Sequence, residues 1–370
     1  LDDGAAVPLT VLSVAFPFAP VGPDAVGGAE QVLAQLDAAL VRAGHRSVVV
    51  ACTGSSVTGT LVATPSATGR IRDAVRRGVH AAHRRAIAQA LSRWPVDVVH
   101  MHGIDFHAYL PPPGPPVLVT LHLPPDWYPP EAFQPERPHT YLHCVSASQR
   151  ARCPNGARLL PDVPNGVALH TAARHAKRRF AVALGRICPE KGFHIALDAA
   201  RRAGVPLLLA GQTFPYQAHE TYFARAIAPR LGRGGRFIGP IGPVRKRRLL
   251  GAARCLLIPS LAPETSSLVA MEALACGTPV VAFPAGALPE IVEHGRTGFI
   301  VQGEAEMAEA IHAAAAIDPD VCRAAARERF SLERTVERYL ALYRQLARAG
   351  WTNAVAAERR SIAADACPGG

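Results

Sequence analysis

Short runs with hardly a polar atom recur along the chain, and stretches of helical periodicity separate them. "LTVLSVAF" (9–16), "SVVVAC" (47–52), "VDVVHMH" (96–102) and "VLVTLH" (117–122) are the first four. Between the first two, "AEQVLAQLDAALVRAG" (29–44) sets Val32, Leu33, Leu36, Leu40 and Ala43 on one helical face and stops at Gly44. A basic helical stretch from Ile71 to Trp94 precedes the third run. Strands apolar throughout, alternating with helices, predict a parallel sheet covered on both faces. The pattern then starts again: strand "FAVALG", helix from 193, strand "PLLLAG", helix from 217, strand near "RFIG", helix "RKRRLLGAA", strand "RCLLIPS". The expectation is an α/β chain of two Rossmann-like parallel-sheet domains facing a cleft. Residues 1–168 form the first domain and 180–331 the second, and the polar, basic "LHTAARHAKRR" (169–179) links them. A final helix spans 332–350, with Val336, Tyr339, Leu340 and Tyr343 on one face, and a polar, frayed tail occupies 351–370.

Length and composition agree with this plan. At 370 residues, with 49% hydrophobic and 19% charged residues, the chain suits two domains with ample cores. No apolar run reaches the ~18–20 residues that span a bilayer. The opening "LDDGAAVPLTVLSVAF" carries aspartates where an export signal carries positive charge, so a cytoplasmic protein is expected. Eight scattered cysteines without a Cys-x-x-Cys pair predict neither a disulfide framework nor a zinc site. The formal charge of +11 points to anionic partners, with nucleotides, acidic lipids and nucleic acid all open on charge alone.

Ligands of open α/β sheets bind beyond the carboxyl ends of strands, near helix starts, and four places qualify. At Gly27 and Gly28, before the first helix, a bare backbone and helix-start amides suit a phosphate; a plain turn is the alternative. In "LGRICPEKGF" (184–193), Arg186 offers a two-pronged donor and Lys191 a point charge, together suited to a diphosphate, or else they are solvated surface charges. In "PETSSLVAMEALACGTPVV" (263–281), Thr265, Ser266 or Ser267 can cap a helix whose first amides, at Ser267 and Leu268, would face a phosphate. Glu272 lies ~9 Å further along that helix, about the reach from a β-phosphate to a ribose, and is expected to be buried without an evident partner. Glu264 would meet the other end of the ligand. The fourth place is His102 and His122, each ending a strand, where a neutral imidazole can orient a sugar hydroxyl or else is polar edge packing.

Taken together, these segments resemble the retaining glycosyltransferases of the GT-B fold, specifically glycosyltransferase family 4. "GGAEQVLAQLDAALVRAGH", "VDVVHMHG", "VLVTLH", "VPNGV", "LGRICPEKGFHIALDAA", "IPSLAPETSSLVAMEALACGTPVVA" and "GALPEIVEHGRTGFIV" occur in family order from about 9 to 345. The resemblance implies a nucleoside-diphosphate-sugar donor, with Arg186 and Lys191 on the diphosphate and Glu272 on the ribose. It implies Glu264 on sugar hydroxyls near the anomeric carbon, with amides of Ser266, Ser267 and Leu268 on phosphate or sugar. Gly27 and Gly28 would approach the diphosphate from across the cleft, and His122 would lie near the transferred sugar. The catalytic pair is thus His122 and Glu264, no cofactor or metal is expected, and the last helix crosses back to the first domain. Asp318-Pro319-Asp320, the one Asp-x-Asp, is expected to cap a helix.

The chain departs from the family where Glu264-Thr265-Ser266-Ser267 replaces the frequent Glu-Gly-Phe-Gly, so the donor sugar does not carry over. Residues 111–138 hold eleven of the 33 prolines and predict a stiff surface around His122. There Trp127, Tyr128 and Phe133 either stack on an acceptor sugar or anchor the loop. The acceptor, unidentified, is placed near His102, His122 and this segment. The basic residues 70–85 read as a solvated helix face, with weak peripheral contact with an anionic membrane as the alternative; no nucleic-acid signature accompanies them. The rival reading is a donor-binding protein that regulates or scaffolds without turnover. A glycosidase is discounted because Glu264 and Glu272 serve opposite ends of a ligand, and a nicotinamide oxidoreductase because the glycine fingerprint is missing.

Overall fold

The computed structural model describes residues 7–67, 71–169, 176–232 and 234–365. They form two compact units, one running to Cys144 with Cys153–Val163 and the chain from Val336 onward, the other Val145–Arg152 with Pro164–Thr335. The sheet of the first unit contains β1 (Thr10–Val14), β2 (Arg46–Cys52), β3 (Thr60–Thr64), β4 (Val98–Met101), β5 (Val117–Thr120) and β6 (Thr140–His143). That of the second contains β7 (Ala181–Leu184), β8 (Leu207–Ala210), β9 (Gly235–Phe237), β10 (Cys255–Ile258), β11 (Val280–Ala282) and β12 (Gly298–Ile300). The spatial orders are β3-β2-β1-β4-β5-β6 and β9-β8-β7-β10-β11-β12, so both units follow one doubly wound plan. Every pairing is parallel; Val14 faces Val50 on one side and Met101 on the other.

Successive residues of a strand face opposite sides of its sheet, and here both sides are buried. Val48 and Val50 pack with Leu12, Val99 and Met101, whereas Val49 and Ala51 pack with Ala15 and Leu33 on the other face. In the second unit, Val182, Leu256 and Ile258 serve one layer and Ala181, Ala183, Cys255 and Leu257 the other. Helix Gly28–Arg42 buries Val32, Leu33, Leu36 and Leu40 as its periodicity predicts. Helix Asp73–Arg93 buries Val79, Ala86, Ile87 and Ala90 and leaves Arg76, Arg77, Arg84 and Arg85 exposed. Among the described residues, no helix is long and apolar enough to cross a membrane.

Three features differ from expectation. Strands β3 and β6 have no clear apolar run; β3 is a half-exposed edge strand, and β6 is "TYLH". The last helix does not stop at 350 but runs from Leu332 to Asp365, and 366–370 of the expected tail lie outside the described residues. The segment 351–365 is rich in Ala, Arg and Glu with no proline, and one interior glycine costs a helix only ~1 kcal/mol. Of the expected linker, 170–175 lie outside the described residues, and its end is tied down. Arg178 N–H donates to the Ala252 carbonyl, and Lys177 Nζ donates to Thr278 Oγ1 at 2.5 Å. Burial lowers the Lys177 ammonium to about 8. In the proline-rich stretch the chain makes short 3-10 turns at Pro125–Trp127 and Pro130–Phe133.

Candidate functional site

In each unit the first and fourth strands lie side by side, with their outgoing connections to opposite sides; this is where doubly wound sheets bind ligands. In the second unit these strands are β7 and β10, and the loops leaving them are in direct backbone contact. Gly192 opens helix Phe193–Arg202 at φ 62°, and a Cβ there would sit 2.1 Å from the Pro259 carbonyl oxygen. Glycine is therefore required twice over, for its left-handed backbone and for the close approach. Leu261 N–H donates to the Glu190 carbonyl at 2.8 Å, adding a second tie between the loops.

This contact brings Lys191 and Glu264 together, with Nζ 2.6 Å from Oε1. Ser260 Oγ donates to the same carboxylate oxygen at 2.5 Å. Burial pushes the Glu264 carboxyl up, but the charge and hydrogen bond of Lys191, the Ser260 hydroxyl and nearby Arg186 outweigh it and hold it below the usual range. Glu264 is thus a fixed carboxylate. Lys191, expected on a diphosphate alone, commits one of its three donors to Glu264 and keeps two.

Helix Leu268–Ala275 begins just beyond. Its cap residue is Ser267, buried, the last of the three hydroxyl residues expected to cap it, but its hydroxyl makes no capping bond. Its φ of −93° and ψ of 90° set the backbone to enter the helix without one. Ser266 Oγ is buried and has no hydrogen-bond partner among the described residues. The expectation for Glu272 is corrected: it has a partner and is not fully buried. Lys246 Nζ, from helix Pro243–Ala252, lies 2.6 Å from Glu272 Oε1, with both side chains about one-fifth exposed (23% and 22%). Helix Pro243–Ala252 packs beside helix Leu268–Ala275 and delivers the cation from the "RKRR" run. Asp318 accepts from Asp320 N–H at 2.8 Å and caps helix Pro319–Arg329.

Gly27, Gly28, His102 and His122 belong to the first unit, whereas Arg186, Lys191, Glu264, Ser266, Ser267, Leu268 and Glu272 belong to the second. Gly27 caps helix Gly28–Arg42, and a Cβ on it would lie 1.8 Å from Glu30 Oε2. The glycine thus already makes room for a carboxylate of its own chain. His102 Nδ1 and His122 Nε2 are 3.0 Å apart, with the rings 18° from parallel. Burial, then the charge of neighbouring His143, lowers His122 to about 3, and burial lowers His102 as well, so both rings are neutral. Tyr128 fixes the segment after β5 by accepting the backbone N–H groups of His122 (3.0 Å) and Leu123 (3.3 Å). Tyr128 and Phe133 are buried and anchor the proline-rich loop, while Trp127 is 46% exposed.

Behind these histidines lies a fully buried polar chain. His143 Nδ1 can only donate to the Cys144 carbonyl (3.0 Å), so for a neutral ring its Nε2 accepts from Thr120 Oγ1 (2.6 Å). Thr120 then accepts from His100 Nε2–H (2.7 Å) and from the Tyr339 hydroxyl (3.2 Å). His100 Nδ1, in turn, accepts from the Tyr343 hydroxyl at 2.6 Å. Burial, followed by the neighbouring histidines, holds His100 far below the usual imidazole range. Tyr339 and Tyr343 dock the terminal helix on the first unit through this chain.

Sequence reasoning missed Ser260, Lys246 and a cluster of Cys188, Glu190 and His219, whose ligand-type atoms all lie within 4.8 Å of one another. Proximity across 26 residues for Lys246–Glu272, or 31 for Cys188–His219 (219 − 188), leaves no local pattern.

The solved structures share this architecture. AviGT4, a glycosyltransferase involved in avilamycin A biosynthesis, superposes with a TM-score of 0.67 at 26% identity, covering 92% of this chain and 99% of that one. Anabaena Alr3699/HepE in complex with UDP-glucose gives 0.71 at 19% identity, with 91% and 100% covered. The fold is GT-B. The chain belongs to glycosyltransferase family 4: residues 26–167 match the model described as Glycosyltransferase Family 4, and 178–316 match Glycosyl transferases group 1. Among curated relatives, the alpha-maltose-1-phosphate synthase of Mycolicibacterium smegmatis is 34% identical over 183 residues, 44% of this chain. That match spans 47% of the relative's own length, so the chain covers about half of it.

Proposed function

We propose that this protein is a retaining glycosyltransferase that moves a sugar from a nucleoside-diphosphate sugar to an acceptor without using a metal in the transfer step. The observation that carries this reading is the Lys191–Glu264–Ser260 cluster at the ends of β7 and β10. A growing negative charge on a departing diphosphate needs fixed positive groups. Arg186, the two uncommitted donors of Lys191 and the amides of Ser266, Ser267 and Leu268 supply them. The orphaned Ser266 hydroxyl gains a partner when a phosphate or sugar oxygen arrives. Glu264, kept ionised, accepts sugar hydroxyls near the anomeric carbon, and Glu272 accepts the ribose pair. In the reading's retaining course, the acceptor hydroxyl attacks the face the diphosphate leaves, and a departing phosphate oxygen takes its proton.

Gly27, Gly28 and His122 complete the assignment from the first unit, with His122 orienting a hydroxyl of the transferred sugar as a neutral imidazole. An acceptor near His102, His122 and exposed Trp127 is part of the same proposal. The UDP-glucose complex of the Anabaena neighbour supports a uridine donor as the first to try. Calorimetric titration with UDP, GDP and ADP, followed by hydrolysis of the corresponding sugar nucleotides, tests the reading. Binding of one diphosphate with loss of turnover in Lys191→Ala and Glu264→Ala supports it. No binding to any of the three, or turnover unchanged in both variants, refutes it. Binding without any transfer or hydrolysis would instead favour a regulatory donor-binding protein.

A further inference from the structure

Cys188 and Glu190 flank Pro189 in the turn Pro189–Lys191, and His219 reaches them from helix Gln217–Tyr222. A thiol, a carboxylate and an imidazole within 4.8 Å form the donor set of a borderline-soft cation. Around a tetrahedral zinc ion such donors stand roughly 3.3–3.6 Å apart, given Zn–S ≈ 2.3 Å and Zn–N or Zn–O ≈ 2.0–2.2 Å. Closing the cluster onto an ion therefore takes inward movement of roughly 1 Å.

Two further observations bear on how these groups are engaged. His219 Nδ1 is buried and has no hydrogen-bond partner among the described residues, a state native proteins avoid. Cys188, itself buried, shares a side-chain hydrogen bond with the Glu190 carboxylate, so the thiol proton already points at a second donor of the set, and its contact with the Arg186 carbonyl is long at 3.6 Å. Arg186 and Lys191 are the cations near the cluster. Two anionic donors offset the double charge of the ion, so the loaded site is neutral and adds no repulsion against them.

We propose that Cys188, Glu190 and His219 bind zinc, clamping the loop after β7 to helix Gln217–Tyr222. On binding, the Cys188 thiol releases its proton to solvent, one proton per ion, and the thiolate, carboxylate and imidazole take three positions; a water fills the fourth. The ion is a staple for the turn between Arg186 and Lys191 and takes no part in sugar transfer.

The test uses the full chain, stripped with chelator and titrated with cobalt(II) in the absence of any sugar nucleotide. It therefore succeeds or fails independently of the transferase reading. The expected result is one cobalt per chain with a thiolate-to-cobalt charge-transfer band in the near ultraviolet, removed when zinc displaces it. Cys188→Ser should abolish the band. His219→Ala and Glu190→Gln, on accessible side chains, should weaken cobalt binding by at least the about tenfold lost when even an outer partner is removed. They keep the test decisive if Cys188→Ser does not fold. Absence of the band in the natural chain overturns the proposal. So does a band of undiminished affinity in both His219→Ala and Glu190→Gln, which would place the metal on another thiol such as Cys153 or Cys276.

Discussion

In the first unit the strand ends after β4 and β5 present imidazoles that burial keeps neutral; in the second, the loops after β7 and β10 present a lysine locked to a carboxylate. The strand order beneath them is the same. Topology thus fixes where side chains gather, at the switch point, and the loops decide whether they gather as protons to be counted or charges to be paired. The histidine chain is satisfied only when every ring is neutral and every hydroxyl points one way. The lysine–glutamate pair is satisfied only when both partners are charged. The two units should therefore respond differently to the same perturbation.

The largest effect is expected on turnover, from breaking the charge pair. Lys191→Ala and Glu264→Gln should each lower kcat by about 10²–10³-fold. In the double variant the losses should fall well short of multiplying, because each single change already breaks the shared contact. Steady-state kinetics on all three variants, with the donor found by calorimetry, gives the answer, and full additivity would contradict the coupling. An equivalent substitution of His122 should alter rate without this non-additivity toward Lys191.

Acid comes next, and it should act on the first unit. His100, His102 and His122 have folded values below the unfolded value of about 6.5, which for a histidine means the unfolded chain binds more protons under acid conditions. Their contribution is complete above pH 6.5 and is lost as pH falls from there towards about 3, the His122 value. For the two buried rings, His100 and His102, the slope is about 1.4 kcal/mol per pH unit each. Hydrogen exchange at pH 5 should show β4 and β5 opening before β7 and β10. Equal loss of protection in both sheets would erase the contrast.

A smaller effect should follow from Tyr343→Phe, which leaves His100 Nδ1 without its donor at a cost of about 1–3 kcal/mol. Tyr339→Phe should cost less, since Thr120 keeps His100 as a donor. Chemical denaturation resolves the two, and the reverse order would overturn the assigned hydrogen positions. Smallest of all, Lys246→Met should lower stability by about 1 kcal/mol, the upper end for exposed pairs, because this pair is only one-fifth exposed. The same change should raise the donor KM a few-fold with kcat nearly unchanged, by freeing the Glu272 carboxylate to turn. A pure kcat defect would argue against Lys246 as a positioning residue.

How much of this was legible follows from where the signal resides. Fully apolar strands such as "VVVA" announce themselves because both sheet faces need them; β3 and β6, at the two edges, do not, since an edge tolerates threonine and tyrosine. Arg186, Lys191, Glu264 and Glu272 were readable as candidates from charge beside helix starts. Their pairing was not. Nothing near Glu272 in sequence hints at Lys246, and nothing near Lys191 reveals that its nearest anion is Glu264. Likewise the sequence leaves Tyr128 as either a sugar platform or a loop anchor, and only the two backbone amides on its hydroxyl decide for the anchor. Contacts brought about by layer packing leave no periodic trace, so side-chain identity is legible where side-chain company is not.

Gly192 carries a consequence of its own. Because its missing side chain lets the connection after β7 rest on Pro259, the cation-bearing and acid-bearing segments behave as a single mechanical part. A bulkier residue at 192 would act as a wedge, spreading Lys191 from Glu264 while leaving both intact. Evolutionary drift in either segment is accordingly constrained by the outline of the other.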